Sequence, residues 1–168
     1  MERIERINSE IFTLTYGSLV TQLIKDYEKI AEVNEKLKEI GYNIGVRLID
    51  EFLAKSGAMR CKSFKETADT IAKVGLKMYL GFTAEVHSWN KAMTSCKMTI
   101  PDNALTDFVE LPEEFKKLSY CNILCGVIQG ALKMVSIDVD CSFSKDKLHG
   151  DDANEIVITL KSGFAKST

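Results

Sequence analysis

The sequence predicts an α+β fold in which helices pack on a small antiparallel sheet. In the first half of the chain, apolar residues recur at the i, i+3, i+4 spacing of amphipathic helices. After residue 81 they alternate with polar residues, as in strands that are buried on one face. The length of 168 residues suits one hydrophobic core. We therefore expect a single domain over residues 1–168, with mobile ends at 1–8 and 162–168.

The first two predicted helices span residues 9–30 and about 33–52. The second contains Gly41 and Gly45, which can bend or break a helix. It also has an apolar stripe, formed by Leu37, Ile40, Ile44, Leu48 and Phe52. The two helices could form either an intramolecular hairpin or a subunit interface.

A third helix is predicted to begin at Phe64. Ser63 and Glu66 form the capping-box pattern, in which the serine caps the free N–H groups of the first turn. One face of this helix is apolar and is made partly of small residues: Phe64, Ala68, Ile71, Ala72, Gly75, Met78 and Tyr79. Such a groove suits either the close approach of another helix or an elongated apolar ligand lying along it.

Cys61 lies just before this helix, between Arg60 and Lys62. Cationic neighbours and the positive end of a helix dipole favour the thiolate, which is the nucleophilic form of cysteine. Two interpretations follow. Cys61 is either an ordinary loop cysteine or an acylated cysteine whose chain enters the adjacent groove.

The second half of the chain predicts two strand pairs around a buried helix. Strands are expected at 82–89 and 94–100 and again at 137–145 and 155–161, with Gly150-Asp151-Asp152 as the turn of the second pair. The apolar segment 118–135 predicts a central helix, in which Gly126 and Gly130 allow another element to approach closely.

The composition excludes several classes of function. A net charge of −2 gives no basic field for nucleic acid, and no run of about 18 apolar residues or signal peptide is found. Five cysteines without framework spacing fit a reducing cytosol. Cys121 and Cys125 share a face of the central helix, where we expect core packing and no zinc site. No phosphate loop or nucleophile elbow is present, so we expect a protein without catalytic activity of its own.

Six collinear blocks resemble the palmitoylated core subunit family of TRAPP, the transport protein particle, which is a vesicle-tethering complex. They are IFTLTYGSLVTQLIKDYE (11–28), GYNIGVRLIDEFLA (41–54), RCKSFKETADTIAKVGLKMYLG (60–81), DFVELPEE (107–114), CNILCGVIQGALKMV (121–135) and KLHGDDANEI (147–156). Together they cover nearly the whole chain. The segment 87–97 and the tail from residue 161 depart from the family pattern, so no role is assigned to them.

The resemblance implies an internal apolar tunnel and a covalent palmitate, held as a thioester on Cys61. The resemblance places one set of residues along this tunnel: Ala68, Ile71, Ala72, Gly75 and Met78. A chain buried in this way acts as part of the core and does not anchor the protein in a membrane.

The resemblance also implies a cellular role. The subunit forms a homodimer, or a heterodimer with related TRAPP subunits, through its N-terminal helices. The assembled particle works in ER-to-Golgi vesicle transport as a guanine-nucleotide exchange factor for a Rab GTPase, an activity that the lone subunit lacks. It would be cytoplasmic and peripheral at the cis-Golgi and endoplasmic reticulum membranes. Two other hypotheses remain open: a free-standing module that binds a fatty acid or another small apolar ligand, and a thiol-dependent enzyme that uses Cys61.

Overall fold

The computed structural model describes residues 8–57, 61–101, 103–106 and 108–163. Most of the ends predicted to be mobile lie outside these ranges. Among the residues of the predicted mobile ends that the structure describes are Asn8, which caps the first helix, and Ser162, which ends the last strand.

The two N-terminal helices are α1, Ser9–Asp26, and α2, Ile30–Ser56. The Asn8 carboxamide oxygen accepts a hydrogen bond from the Glu10 N–H at 2.8 Å and caps α1, which begins at residue 9 as predicted. Helix α1 ends about four residues before the predicted position, because Tyr27 takes an extended conformation. Helix α2 then follows almost at once and runs for 27 residues.

Gly41 and Gly45 do not interrupt α2. Both face the central helix α5, Asn122–Met134, whose own glycines face α2 in return. A Cβ atom at Gly41 would lie 2.1 Å from the Ile123 carbonyl oxygen, and one at Gly126 would lie 2.0 Å from the Lys38 carbonyl oxygen. The glycines therefore allow the two backbones to touch. The interruption expected in α2 is wrong, whereas the close approach expected at Gly126 is confirmed.

The strands form a four-stranded antiparallel sheet in the order β1-β2-β4-β3. They span Glu85–His87 (β1), Ser95–Ile100 (β2), Asp138–Lys145 (β3) and Asn154–Ser162 (β4). Both predicted strand pairs are confirmed. The segment Gly150-Asp151-Asp152 lies in the β3–β4 turn, as predicted, and Gly150 has a φ of 91° that favours glycine there.

Helix α5 is the centre of the core. It packs between α2 and the inner face of the sheet, and seven of its residues are buried. Cys96 and Cys141 lie on this inner face on either side of Ile158. Cys121 and Cys125 are buried in the same core, where the Asn103 amide donates a hydrogen bond to the Cys121 sulfur at 3.1 Å.

The described residues contain no helix that is both long and apolar enough to cross a membrane. Within the same ranges, no group of three or more His, Cys, Asp or Glu side chains is arranged to hold a metal ion.

Candidate functional site

The helix that follows Cys61 begins at Phe64, as predicted. The Ser63 hydroxyl accepts a hydrogen bond from the Glu66 N–H at 3.2 Å. The Glu66 carboxylate reaches back to the Lys62 N–H at 2.6 Å, one residue before the cap itself. The first bond satisfies an N–H group that the helix leaves unpaired, and the second holds the chain before the cap. They also fix the backbone immediately after Cys61.

This helix changes its winding halfway along. An α-helical segment α3, Phe64–Thr70, is followed by a π-helical turn, Ile71–Gly75, and by α4, Leu76–Leu80. In the π turn the Leu76 N–H donates to the carbonyl of Ile71, five residues back. The Ala72 carbonyl accepts from the Ala84 N–H at 3.0 Å, which ties the turn to the chain leading into β1. A π turn adds one residue to the helix, so the residues after it face a different direction from an uninterrupted α-helix.

A large apolar cavity of about 1690 Å³ lies between this helix, α1, α2, α5 and the sheet. Its wall includes Leu19 from α1, Ile44, Leu48 and Phe52 from α2, Ile71, Gly75, Leu76 and Leu80 from α3–α4, Val127, Ile128 and Ala131 from α5, and Met98, Ile100 and Ile156 from the sheet. Helix α1 is held against the start of α5 by the Tyr16 hydroxyl, which donates to the Tyr120 carbonyl. Such a wall offers contacts to an aliphatic chain and few partners to a polar ligand.

Cys61 forms part of this wall together with Lys62. The Lys62 side chain is exposed and Cys61 is half-buried, so the cavity reaches the protein surface here. The Cys61 sulfur lies 3.7 Å from the Thr70 hydroxyl oxygen. The thiol thus stands at the boundary between solvent and an apolar interior.

The other cysteines differ from Cys61 in their surroundings. All four are buried. Burial raises the pKa of the Cys96 thiol to about 11 and that of Cys125 to about 12, and it also raises the pKa of Cys121 and Cys141 well above the ordinary value of a thiol. Because the thiolate is the nucleophilic form, these four are poor nucleophiles at neutral pH.

His87 does not complete a catalytic pair with Cys61. Its ring lies on the polar face of the sheet, 2.7 Å from the Thr99 hydroxyl, 2.9 Å from the Ser88 hydroxyl and 3.6 Å from the Glu155 carboxylate. The bonds that position this imidazole therefore belong to the sheet, and the thiol-dependent enzyme gains no base from it.

The cavity wall differs from the set of tunnel residues that the resemblance implied. Ile71 and Gly75 lie in the wall, whereas Ala68, Ala72 and Met78 do not. Ala68 and Ala72 are fully buried in the core. After the π turn, the wall continues through Leu76, Tyr79 and Leu80, which is the shift that one inserted residue produces.

Most of the wall comes from elements other than the helix after Cys61. The apolar stripe on α2 was a signal for part of it, because Ile44, Leu48 and Phe52 belong to both. Nothing in the local sequence indicates the contribution of α5 or of the sheet. In the sequence, the wall residues of α5 and of the sheet have the pattern of ordinary core residues, and only the three-dimensional structure shows that they line a cavity.

Comparison with known proteins agrees with this architecture. A model of the transport protein particle (TRAPP) component family matches residues 12–159. The chain is 59% identical to trafficking protein particle complex subunit 3 of Dictyostelium discoideum, over 95% of this chain and 86% of that protein. It is 50% identical to transport protein particle subunit bet3 of Schizosaccharomyces pombe, over 95% and 87% respectively.

A solved structure shows the same fold. The crystal structure of a trafficking protein particle complex subunit 3 from Naegleria fowleri, covalently bound to palmitic acid, superposes with a TM-score of 0.91 at 51% identity. The match covers 96% of this chain and 100% of that one. With the family match, the two relatives and this superposition in agreement, the chain belongs to the transport protein particle (TRAPP) component family.

Proposed function

We propose that this chain is the lipid-carrying core subunit of a transport protein particle, with palmitate bound to Cys61 as a thioester and its hydrocarbon tail in the cavity. One observation carries the proposal: the half-buried Cys61 thiol opens into the apolar cavity. The covalently bound palmitic acid in the Naegleria fowleri relative supports the same chemistry. In the reaction, the Cys61 sulfur attacks the carbonyl carbon of an acyl thioester and the donor thiol leaves.

The lipid is proposed to act inside the protein. Burying an aliphatic chain yields about 0.8 kcal/mol per methylene, so the gross gain for palmitate is on the order of 10 kcal/mol. A tail that lies in the cavity cannot also lie in a bilayer. Acylation would therefore stabilise the fold, and recruitment to a membrane would depend on the assembled particle.

The subunit is proposed to have no catalytic activity alone and to act through assembly. On α1, Ile11 and Leu14 have exposed fractions of 63% and 71%, which is the apolar surface that a partner helix would cover. We place the homodimer, or the heterodimer with a related subunit, on this face. The assembled particle would serve as a Rab guanine-nucleotide exchange factor in ER-to-Golgi transport and contact cis-Golgi and endoplasmic reticulum membranes peripherally.

The intact mass of the protein purified from a eukaryotic host tests the acylation. We expect an excess equal to one palmitoyl group, removed by hydroxylamine and absent from Cys61→Ser. Cys96→Ser is the matched control, because Cys96 is buried away from solvent and its loss should leave the excess unchanged. An adduct that survives in Cys61→Ser, or no adduct in the wild type, contradicts the proposal.

A second candidate function is reversible binding of a free fatty acid by a module that acts alone. The predominantly apolar wall of the cavity favours it, because small-molecule sites are lined mainly by hydrophobic side chains. Mass spectrometry under native and then denaturing conditions separates the two functions. Lipid that dissociates from the unfolded wild type without hydroxylamine supports reversible binding, whereas lipid that remains attached supports the thioester.

A further inference from the structure

Phe108 is the most exposed large apolar residue of the described chain, with an exposed fraction of 95%. Its apolar neighbours in sequence behave differently. Val109, Leu111 and Phe115 are half-buried and pack against the hydrophobic core. The segment therefore turns its other apolar side chains inward and leaves a single phenylalanine in solvent.

The backbone holds Phe108 in an unfavourable conformation. The Val109 N–H donates to the Thr106 carbonyl at 3.1 Å, and within the turn that this bond closes Phe108 has a φ of 64°. Glycine or asparagine is the usual residue where a turn requires a positive φ, because a Cβ atom is crowded there. With 95% of its surface exposed, the Phe108 ring has little contact with the described residues that could offset the strain.

The base of this turn is rigidly attached to the core. The side chain of Asn103, itself buried, accepts from the Leu105 N–H and donates to the Cys121 sulfur. Leu105 is buried as well. Asn103 and Leu105 thus fix the start of the turn on the core, and chain that is ordered before binding costs less entropy when a partner binds.

The charges that follow Phe108 are mainly acidic. Glu110 and Glu114 are exposed and have no ion-pair partner among the described residues, whereas Glu113 pairs with Lys116. Lys117 is also exposed and lies at the far end of the segment, where its carbonyl accepts from Asn34. The two unpaired carboxylates would repel an anionic membrane surface and attract a basic rim.

We propose that Phe108 is an anchor for another protein component of the particle, which receives the ring in an apolar pocket rimmed by basic side chains. Aromatic side chains are enriched in the cores of protein interfaces, where a few buried residues provide most of the binding energy. The role requires no lipid on Cys61, so it can fail or succeed independently of the proposed acylation.

The test combines substitutions at one position that separate folding from binding. The tagged chain is co-expressed with the other components of the particle from the same organism, and each co-purifying subunit is quantified. Phe108→Ala and Phe108→Gly should weaken the contact by roughly 30-fold, so that one neighbouring subunit is depleted while the others are retained. Met134→Ala is the control, since Met134 is another exposed apolar residue whose loss should deplete nothing.

Thermal unfolding of the isolated variants excludes a general defect. Phe108→Gly relieves the positive φ, so its Tm should equal or exceed that of the wild type even though its binding is weaker. Retention of every subunit by Phe108→Gly overturns the proposal. A Tm of Phe108→Gly that is low enough to explain the loss of the co-purifying subunit also overturns it.

Two further measurements identify the partner and its chemistry. Benzoylphenylalanine in place of Phe108 should crosslink on illumination to a single different subunit, at a peptide containing Lys or Arg. Joint Glu110→Lys and Glu114→Lys substitution should weaken the same contact, and added salt should weaken it in the wild type. Crosslinking to a second copy of this chain overturns the proposal. Binding to phosphatidylserine vesicles that is lost in Phe108→Ala does so as well, since the ring would then meet lipid.

Discussion

At the scale of single residues, the five cysteines are expected to divide into one reactive thiol and four inert ones. Cys61 is half-buried at the cavity wall, whereas burial holds the pKa of the other four well above neutral pH. Iodoacetamide at pH 8 should therefore label only Cys61 in the folded, unacylated protein, and all five after unfolding. Peptide mapping checks this. Rapid labelling of Cys125 or Cys141 in the native state would mean that the core opens far more readily than its packing implies.

Glu155 is expected to make stability depend on acidic pH. Its buried carboxylate accepts from the Lys97 ammonium at 2.8 Å and from the Ser144 hydroxyl at 2.7 Å, and these hydrogen bonds lower its pKa. A carboxyl whose pKa is lowered by folding stabilises the protein above its unfolded pKa of about 4.5, and this contribution is lost as pH falls below that value. Urea unfolding from pH 6 to pH 3 should thus show a steeper loss for wild type than for Glu155→Gln. The same loss of unfolding free energy between pH 6 and pH 3 in both proteins would contradict this role of Glu155.

At the scale of elements, the space around helical glycines predicts opposite effects for two substitutions, one in the contact between α2 and α5 and one in the π turn. Gly126→Ala places a Cβ atom 2.0 Å from the Lys38 carbonyl oxygen, which neither backbone can avoid, so we expect a loss of about 1–3 kcal/mol or more. At Gly75 the nearest atoms lie 4.0 Å away and φ is −62°, so Gly75→Ala should gain up to about 1 kcal/mol. Chemical denaturation of the two variants checks both signs. Equal destabilisation would show that the gap at Gly75 is not available.

Local chemistry explains which elements could be predicted from the sequence. The Ser63 cap and the alternation of strand residues each depend on neighbours close in the chain, and the structure has them where expected. The end of α1 and the continuity of α2 depend on contacts that one helix alone does not reveal. A glycine that breaks a helix and one that meets another backbone look identical in sequence, and Gly41 proved to be the second kind.

The π turn at Ile71–Gly75 explains part of the difference between the expected tunnel residues and the cavity wall. The capping pattern of Ser63 and Glu66 located the helix that follows Cys61. Assigning a helix face assumes 3.6 residues per turn throughout, and one inserted residue moves later side chains by about 100°. Tyr79 lies in the wall and Met78 does not, which agrees with such a shift after the π turn.

At the scale of the whole molecule, the cavity makes stability depend on what fills it. Residues from every layer of the fold contribute to its wall, so a chain inserted there contacts helices and sheet at once. We expect the acylated protein to have a Tm higher than that of the unacylated protein by on the order of 10 °C, since part of the gross gain is offset by fixing the chain. Differential scanning calorimetry before and after hydroxylamine measures the shift. Cys61→Ser given the same treatment should show none.

The cavity also determines how this stabilisation depends on temperature. Unfolding an acylated chain exposes both the hydrocarbon tail and the apolar wall that enclosed it, and hydration of such surface raises the heat capacity by about 0.45 cal/mol/K per Å². The stability curve of the loaded protein is therefore more sharply curved than that of the empty one. Because burial of apolar surface is less favourable in the cold, the contribution of the lipid shrinks on cooling. An organism that grows at low temperature would gain less from the same fatty acid than one that grows warm.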